Sequence, residues 1–140
     1  MAKPAIIGLD LAKSIFQVHG VDNEGNAVLK KRLTRAQLAE FFAQQEPCIV
    51  AMEACGSAHH WARRLAGLGH SPRLLPPQYV KPFVKTNKND AADAAAIATA
   101  ARQPDMLTVM VKSPEQQAVL SIYRARNGLA KSKTATCNQI

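Results

Sequence analysis

Apolar and polar positions along this chain first predict three strands and then an alternation of helices and strands. Residues 4–10 (PAIIGLD) form an apolar run closed by an acid, the pattern of a buried strand. Residues 14–20 (SIFQVHG) alternate apolar and polar, as a strand with one wet face does. Asp22-Asn23-Glu24-Gly25-Asn26 reads as a turn, and residues 27–33 (AVLKKRL) as a third strand. Lying so close in sequence, the three are expected to form an antiparallel meander. Thr34 stands where an N-cap is wanted. Leu38, Phe41 and Phe42 follow at helical spacing, which predicts a helix over 35–45 ended by Pro47.

Residues 48–52 (CIVAM) are a short continuous apolar run, as in a strand covered on both faces, and Glu53 follows it. Gly56-Ser57 leads into a helix over roughly 58–68 with Trp61, Leu65 and Leu68 on one side, stopped by Gly69. Ser57 is expected to cap it, Trp61 to enter the core, and Arg63 and Arg64 to face solvent. Residues 71–75 (SPRLL) predict another strand, broken by Pro76-Pro77, and residues 78–88 read as irregular and basic. Asn89 then caps a helix rich in alanine, which Gln103-Pro104 ends. Residues 107–111 (LTVMV) read as a weak strand or an extended link. Ser113-Pro114-Glu115 opens a last helix with proline at its first position. Asn127-Gly128 is expected to weaken that helix, and residues 121–137 read as irregular for a linker. No stop signal precedes Ile140, the pattern expected of a chain cut inside a longer helix.

A meander followed by alternating helix and strand fits an α/β fold of the RNase H-like (RuvC-like) kind: a mixed five-stranded sheet flanked by helices, with a C-terminal linker helix. The expected division is a domain over 1–112 and the start of a helical linker over 113–140.

With 140 residues, 47% of them hydrophobic, the chain suits one compact domain. No run approaches the roughly 18 apolar residues that span a membrane, and the first residues lack the signature of a secretory signal. A cytoplasmic location is expected. Three cysteines, Cys48, Cys55 and Cys137, with no Cys-x-x-Cys pair, argue against a disulfide framework or a structural zinc site. Charge is unevenly spread. Residues 1–60 hold six basic and six acidic side chains, whereas residues 61–140 hold twelve and four and so carry the whole net +8. Such an imbalance suits a polyanionic partner, nucleic acid being the simplest. Aromatic residues are only 5% of the chain, which argues against a platform for stacking single-stranded bases.

The chemistry concentrates in four acids. Two buried strands end alike, in Asp10 and in Glu53, and an unpaired charge beside a core is costly unless something offsets it. Asp90 and Asp93 lie one turn apart at the start of a helix, where they share a face and the helix dipole favours their ionised form. Ionised carboxylates are the ligands of Mg²⁺ or Mn²⁺. A pair of such ions, about 3.5–4 Å apart, serves phosphodiester chemistry. Each acid also has a plainer reading: Asp10 paired with Lys13, Glu53 capping the next helix, Asp90 and Asp93 as ordinary first-turn acids. Lys81, Lys85 and Lys88 precede the aspartate pair and either hold a nucleic-acid backbone or form a solvated basic loop. Arg124, Arg126, Lys131 and Lys133, on the last helix, are further candidates for that contact. His59 and His60 are adjacent, so they point to different sides of a helix and do not form a joint zinc site.

The strings IIGLDLAKSIFQVHGVD, AMEACGSAHHWARRL and PPQYVKPFVKTNKNDAADAAAIATAA resemble the DEDD transposase class that includes the Piv invertase and the insertion sequence 110 family. The resemblance runs over essentially the whole chain with its motifs in order, and NKNDAADA is the most specific of them. It implies an N-terminal RuvC-like domain that binds Mg²⁺ (or Mn²⁺), two ions, through Asp10, Glu53, Asp90 and Asp93, in a recombinase acting on DNA. It also implies a C-terminal domain, beyond these residues, that supplies a serine nucleophile, and a structured non-coding RNA that guides the choice of DNA. A homo-oligomer, dimer or tetramer, is expected of the full-length protein, and no recombination of the fragment alone. Two other readings use the same residues: a standalone RNase H-like nuclease or Holliday-junction resolvase, and a non-catalytic nucleic-acid-binding module with structural acids. A sugar-kinase-type ATPase shares the first hairpin but needs a glycine-rich phosphate loop, which the seven scattered glycines do not make.

Overall fold

A computed structural model describes residues 2–85 and 89–139. Five strands form one sheet in the order β3-β2-β1-β4-β5. They are β1 (Ile6–Asp10), β2 (Ile15–Val21), β3 (Ala27–Thr34), β4 (Ile49–Glu53) and β5 (Ser71–Leu75). β1, β2 and β3 form the expected antiparallel meander, while β4 and β5 run parallel to β1. This mixed sheet with flanking helices is the RuvC-like α/β fold expected from the sequence.

The helices lie where periodicity places them. α1 (Arg35–Gln44) opens on Thr34, whose side chain accepts from the Gln37 backbone N–H while Gln37 reaches back, a capping box. α2 (Gly56–Gly67) ends in a Schellman arrangement: Gly69 takes φ +92°, and the His70 N–H donates to the Leu65 carbonyl at 3.0 Å. Phe16, Val18, Leu38, Phe42, Met52, Trp61 and Leu65 pack between the sheet and these two helices. Trp61 meets Phe16 edge-on with ring centres 5.8 Å apart, as a core residue.

The opposite face of the sheet carries α4 (Asp90–Ala101), which packs Ala96, Ile97, Ala100 and Ala101 against Ala51 and Leu75. Alternation along each strand decides the division. Ile7 and Leu9 of β1 join the core under α1 and α2, whereas Ile6 joins the core under α4. Gly8 and Asp10, in step with Ile6, therefore belong to the α4 face.

Several elements differ from expectation. Part of the stretch expected to be irregular is ordered as a short α3 (Pro77–Val80) continued by a 3₁₀ turn at Lys81–Phe83, because proline is well suited to a helix's first turn. The link over 107–111 touches the sheet through one antiparallel bridge, Val109 to Leu74. α5 (Pro114–Asn138) opens on a Ser113 capping box and is continuous through Asn127-Gly128. The cost of one glycine, roughly 1 kcal/mol, does not outweigh the helix formers around it. The first turns of α5 dock on α2, where Gln117 donates to the Gly56 carbonyl at 2.9 Å, and the helix buries no residue of its own.

Two residues of α2 also depart from expectation. Arg63 is half-buried, donating to the Lys112 carbonyl and the Gln117 side chain rather than facing solvent. Ser57 does not cap the helix; the N-cap position falls on Cys55, without a side-chain hydrogen bond.

Candidate functional site

Asp10 closes β1, and Glu53 closes the parallel neighbour β4. With Leu9 registered on Met52, the two acids stand side by side at the carboxyl ends of adjacent strands. Glu53, in step with buried Ala51, faces α4 as Asp10 does. α4 brings its first turn over this point. Asn89 fixes the start of the helix, its side chain accepting from the Ala92 N–H at 2.7 Å.

The helix can come this close because β1 carries glycine beneath it. A Cβ on Gly8 would overlap the carbonyl oxygen of Ala94 and stand 2.7 Å from the nitrogen of Ala98. The alanine-rich sequence of α4 serves the same close contact from the other side.

One carboxylate oxygen each from Asp10, Asp90 and Asp93 lies within 4.8 Å of the others. Glu53 stands outside that triple but is close enough to feel it. Burial raises the Glu53 carboxyl above its ordinary range, the Asp93 charge raises it further, and Lys81 opposes both. Asp10 is affected most. Burial, followed by the charges of Asp93, Asp90 and Glu53, pushes its carboxyl from 3.8 up to about 6. Among the described residues the one ion pair is Lys3 with Glu46, so Asp10 does not pair with Lys13 and the cluster has no protein counter-ion at contact. The donors are hard, anionic and oxygen-only, a set that suits a hard divalent cation.

The basic candidates fall in two places. Lys81, in the 3₁₀ turn, lies beside Glu53, and Lys85 is exposed just after it. Lys88 lies outside the described residues. Arg124, Arg126, Lys131 and Lys133 are all exposed along α5. At 100° per residue Arg124 and Lys131 share one side of that helix, with Arg126 and Lys133 nearly opposite. Arg124 also lines a cavity of about 500 Å³ between α2 and α5 with His59 and Gln117.

His59 is buried, and its Nδ1 accepts from the Lys112 N–H at 3.0 Å, a packing role. His70, which the sequence reading passed over, is buried as well. It accepts the Cys48 N–H at Nδ1 and donates from Nε2 to the Phe42 carbonyl at 2.7 Å, tying α1 to the start of β4.

A RuvC-like sheet with carboxylates gathered where β1 and β4 end under a helix start defines a class of α/β domain suited to holding a divalent cation. The chain belongs to the IS110-type DEDD transposase family, whose model, described as a transposase, matches residues 7–140. It is 58% identical over 134 residues to a probable family 20 transposase of Pseudomonas aeruginosa, covering 96% of this chain and 40% of the relative. It is 44% identical over 140 residues to the transposase for insertion sequence element IS1328 of Yersinia enterocolitica, covering 100% of this chain and 42% of the relative. The transposase for insertion sequence element IS1111A of Coxiella burnetii is 45% identical over 135 residues, covering 96% and 37%. The chain thus spans well under half the length of these relatives. Among solved structures, T. thermophilus RuvC in complex with a Holliday junction substrate matches with TM-score 0.49 and 13% identity, over 74% of this chain and 98% of that one. The reading of the fold rests on the sheet order itself. Among the described residues no helix is long and apolar enough to cross a membrane.

Proposed function

We propose that this chain is the metal-dependent catalytic domain of a DNA transposase, and that Asp10, Glu53, Asp90 and Asp93 hold Mg²⁺ or Mn²⁺, as a pair of ions, during DNA strand cleavage and exchange. The observation that carries the reading is the meeting of Asp10, Asp90 and Asp93 oxygens within 4.8 Å at the strand ends, although the residues come from two separate elements. Like charges held together with no counter-ion at contact among the described residues cost stability, and a divalent cation relieves that cost. When bound, the cations stabilise the attacking and leaving oxygens of a phosphodiester. The chain's own residues fix the geometry. Asp10 and Glu53 are held by the sheet, Asp90 and Asp93 by the capped first turn of α4, and Lys81 tempers the negative potential beside Glu53.

In this reading the remainder of a full-length protein supplies a serine nucleophile, the protein works as a dimer or tetramer, and a structured RNA guides it to DNA. Family membership supports these points. Lys81 and Lys85, with the cations of α5, offer the phosphate contacts. The 140-residue chain alone then binds nucleic acid weakly and in a salt-dependent manner, and does not recombine DNA. A recombination assay on donor and target DNA tests this: no product is expected from the chain by itself, and efficient recombination by it overturns the division of labour. Amide NMR during Mn²⁺ addition tests the site. Paramagnetic broadening is expected first around Asp10, Glu53 and Asp93, and broadening centred elsewhere contradicts the assignment.

A further inference from the structure

On the α4 face of the sheet, two rows of residues run outward from the acid cluster to the edge strand. Asp10 registers on Gln17 of β2, and Gln17 on Arg32 of β3. One row back, Gly8 registers on His19, and His19 on Lys30. Residues registered across strands share a face, so Arg32 and Lys30 stand at the outer end of the rows that begin at Asp10 and Gly8. Lys31, between them, belongs to the other face, where its ammonium lies 5.2 Å from the centre of the Phe41 ring.

The rows floor a groove of about 490 Å³ whose opposite wall is the start of α4, Asn89, Ala91, Ala92 and Ala95; Val18 and Lys31 border it as well, but the Lys31 ammonium lies over Phe41 on the other face. Among the described residues no acidic side chain lines it. It therefore has a neutral wall of small side chains on one side, two cations at the outer rim, and the carboxylate cluster at its inner end. Lys30 and Arg32 are two residues apart on one strand, about 6.7 Å, close to the span between neighbouring phosphates of a single nucleic-acid strand.

We propose that this groove seats the phosphodiester backbone of the DNA strand whose reacting phosphate lies at the acid cluster, with Lys30 and Arg32 contacting successive phosphates upstream or downstream of it. The proposal rests on the reading of the acids as the reacting centre. Among the described residues Lys81, Lys85 and the cations of α5 do not line this groove, so the β2–β3 hairpin is a separate phosphate contact. It sets the direction in which the strand approaches Asp10, along the sheet rows rather than across them.

The test compares three single variants of this chain, Lys30→Ala, Arg32→Ala and Lys31→Ala, by fluorescence anisotropy with a short fluorescein-labelled DNA strand and with RNA of the same sequence, over a range of salt. All three remove one charge from the same exposed strand, so loss of net charge alone affects them equally. Lys30→Ala and Arg32→Ala are expected to weaken DNA binding by roughly three- to tenfold and to lower the salt slope by about one, while Lys31→Ala stays within about twofold. Equal losses on RNA mean that the groove reads any phosphodiester backbone; losses on DNA alone assign it to the transposon strand; both support the proposal. Equal effects of all three variants on DNA, or no effect of Lys30→Ala and Arg32→Ala, overturn it. Metal binding, measured separately by calorimetry without nucleic acid, distinguishes this failure from failure of the acid site. A chain that binds Mg²⁺ but ignores Lys30 and Arg32 refutes the groove alone. A chain that binds no metal, alone or with bound DNA, yet separates Lys30 from Lys31 keeps the groove and refutes the centre.

Discussion

A Cβ built on Gly8 of β1 would stand 2.7 Å from the backbone nitrogen of Ala98 in α4, a separation that real Cβ atoms essentially never show. The neighbour is backbone, so the strain cannot be relieved by turning a side chain. Any residue larger than glycine must lift α4 from the sheet. Asp90 and Asp93 ride on that helix and Asp10 on that strand, so Gly8 sets the distance between the two halves of the acid cluster.

Gly8→Ala is therefore expected to do two things at once. Overpacking of this kind costs about 1–3 kcal/mol, read by urea unfolding. Displacement of the aspartate pair should weaken Mg²⁺ binding roughly ten- to a hundredfold, read by calorimetry. Unchanged stability and unchanged metal affinity would show that α4 does not depend on this contact.

The cap of α4 has a smaller and separable role. Asn89→Ala removes the acceptor for the Ala92 N–H and should cost about 1 kcal/mol, while Asn89→Asp, which keeps a side-chain acceptor, should lose little. The comparison is made by chemical unfolding in chelator, so that metal affinity does not enter.

Without metal the cluster should destabilise the fold as pH rises. The Asp10 carboxyl titrates near 3.8 when unfolded and at about 6 when folded. The folded state thus holds this proton more tightly, and the stability it contributes is full below about pH 4 and lost as pH rises through 6. Glu53 is shifted in the same direction. Asp10 is only half-buried, so after allowance for solvent screening the contribution is on the order of 1 kcal/mol. Melting temperatures in chelator should therefore fall between acidic and neutral pH. Asp10→Asn should melt higher than the parent chain at neutral pH in chelator, and a lower melting temperature would mean that its charge is satisfied by the protein.

His70 offers a test of the core away from the site. It accepts from Cys48 and donates to Phe42 while buried, and His70→Ala leaves both backbone groups without their partner. A loss of about 2–4 kcal/mol is expected on unfolding, with Mg²⁺ affinity of the remaining folded protein unchanged.

What could be read from the sequence divides along physical lines. The strands and helices follow from periodicity and caps, and Thr34, Asn89 and Ser113 cap the helices they precede. The acids were legible because a charge closing a buried run, or standing in a first helical turn, is conspicuous. Their meeting at one site is implied by the family resemblance and not by any local pattern, since it depends on the crossing of β1 by α4, which the register of the sheet and the absence of a side chain at Gly8 decide. The continuity of α5 through Gly128 is not legible locally, because the propensity cost of one glycine is outweighed only by the helix formers around it. The roles of Arg63 and His70 rest on partners 49 and 28 residues away, contacts that no local pattern carries. The basic residues of the β2–β3 hairpin do not stand out in the sequence because they sit in the electrically neutral half of the chain. Only the registered rows align them with Asp10.

The most direct test of the central claim is calorimetric titration of Mg²⁺ and Mn²⁺ into the chain and into its Asp10→Asn and Asp93→Asn variants. The account expects saturable binding by the parent chain that is lost in both variants, because the two residues come from different elements and meet at one centre. Saturable binding that survives either substitution, or no specific binding by the parent chain with or without bound DNA, would contradict it.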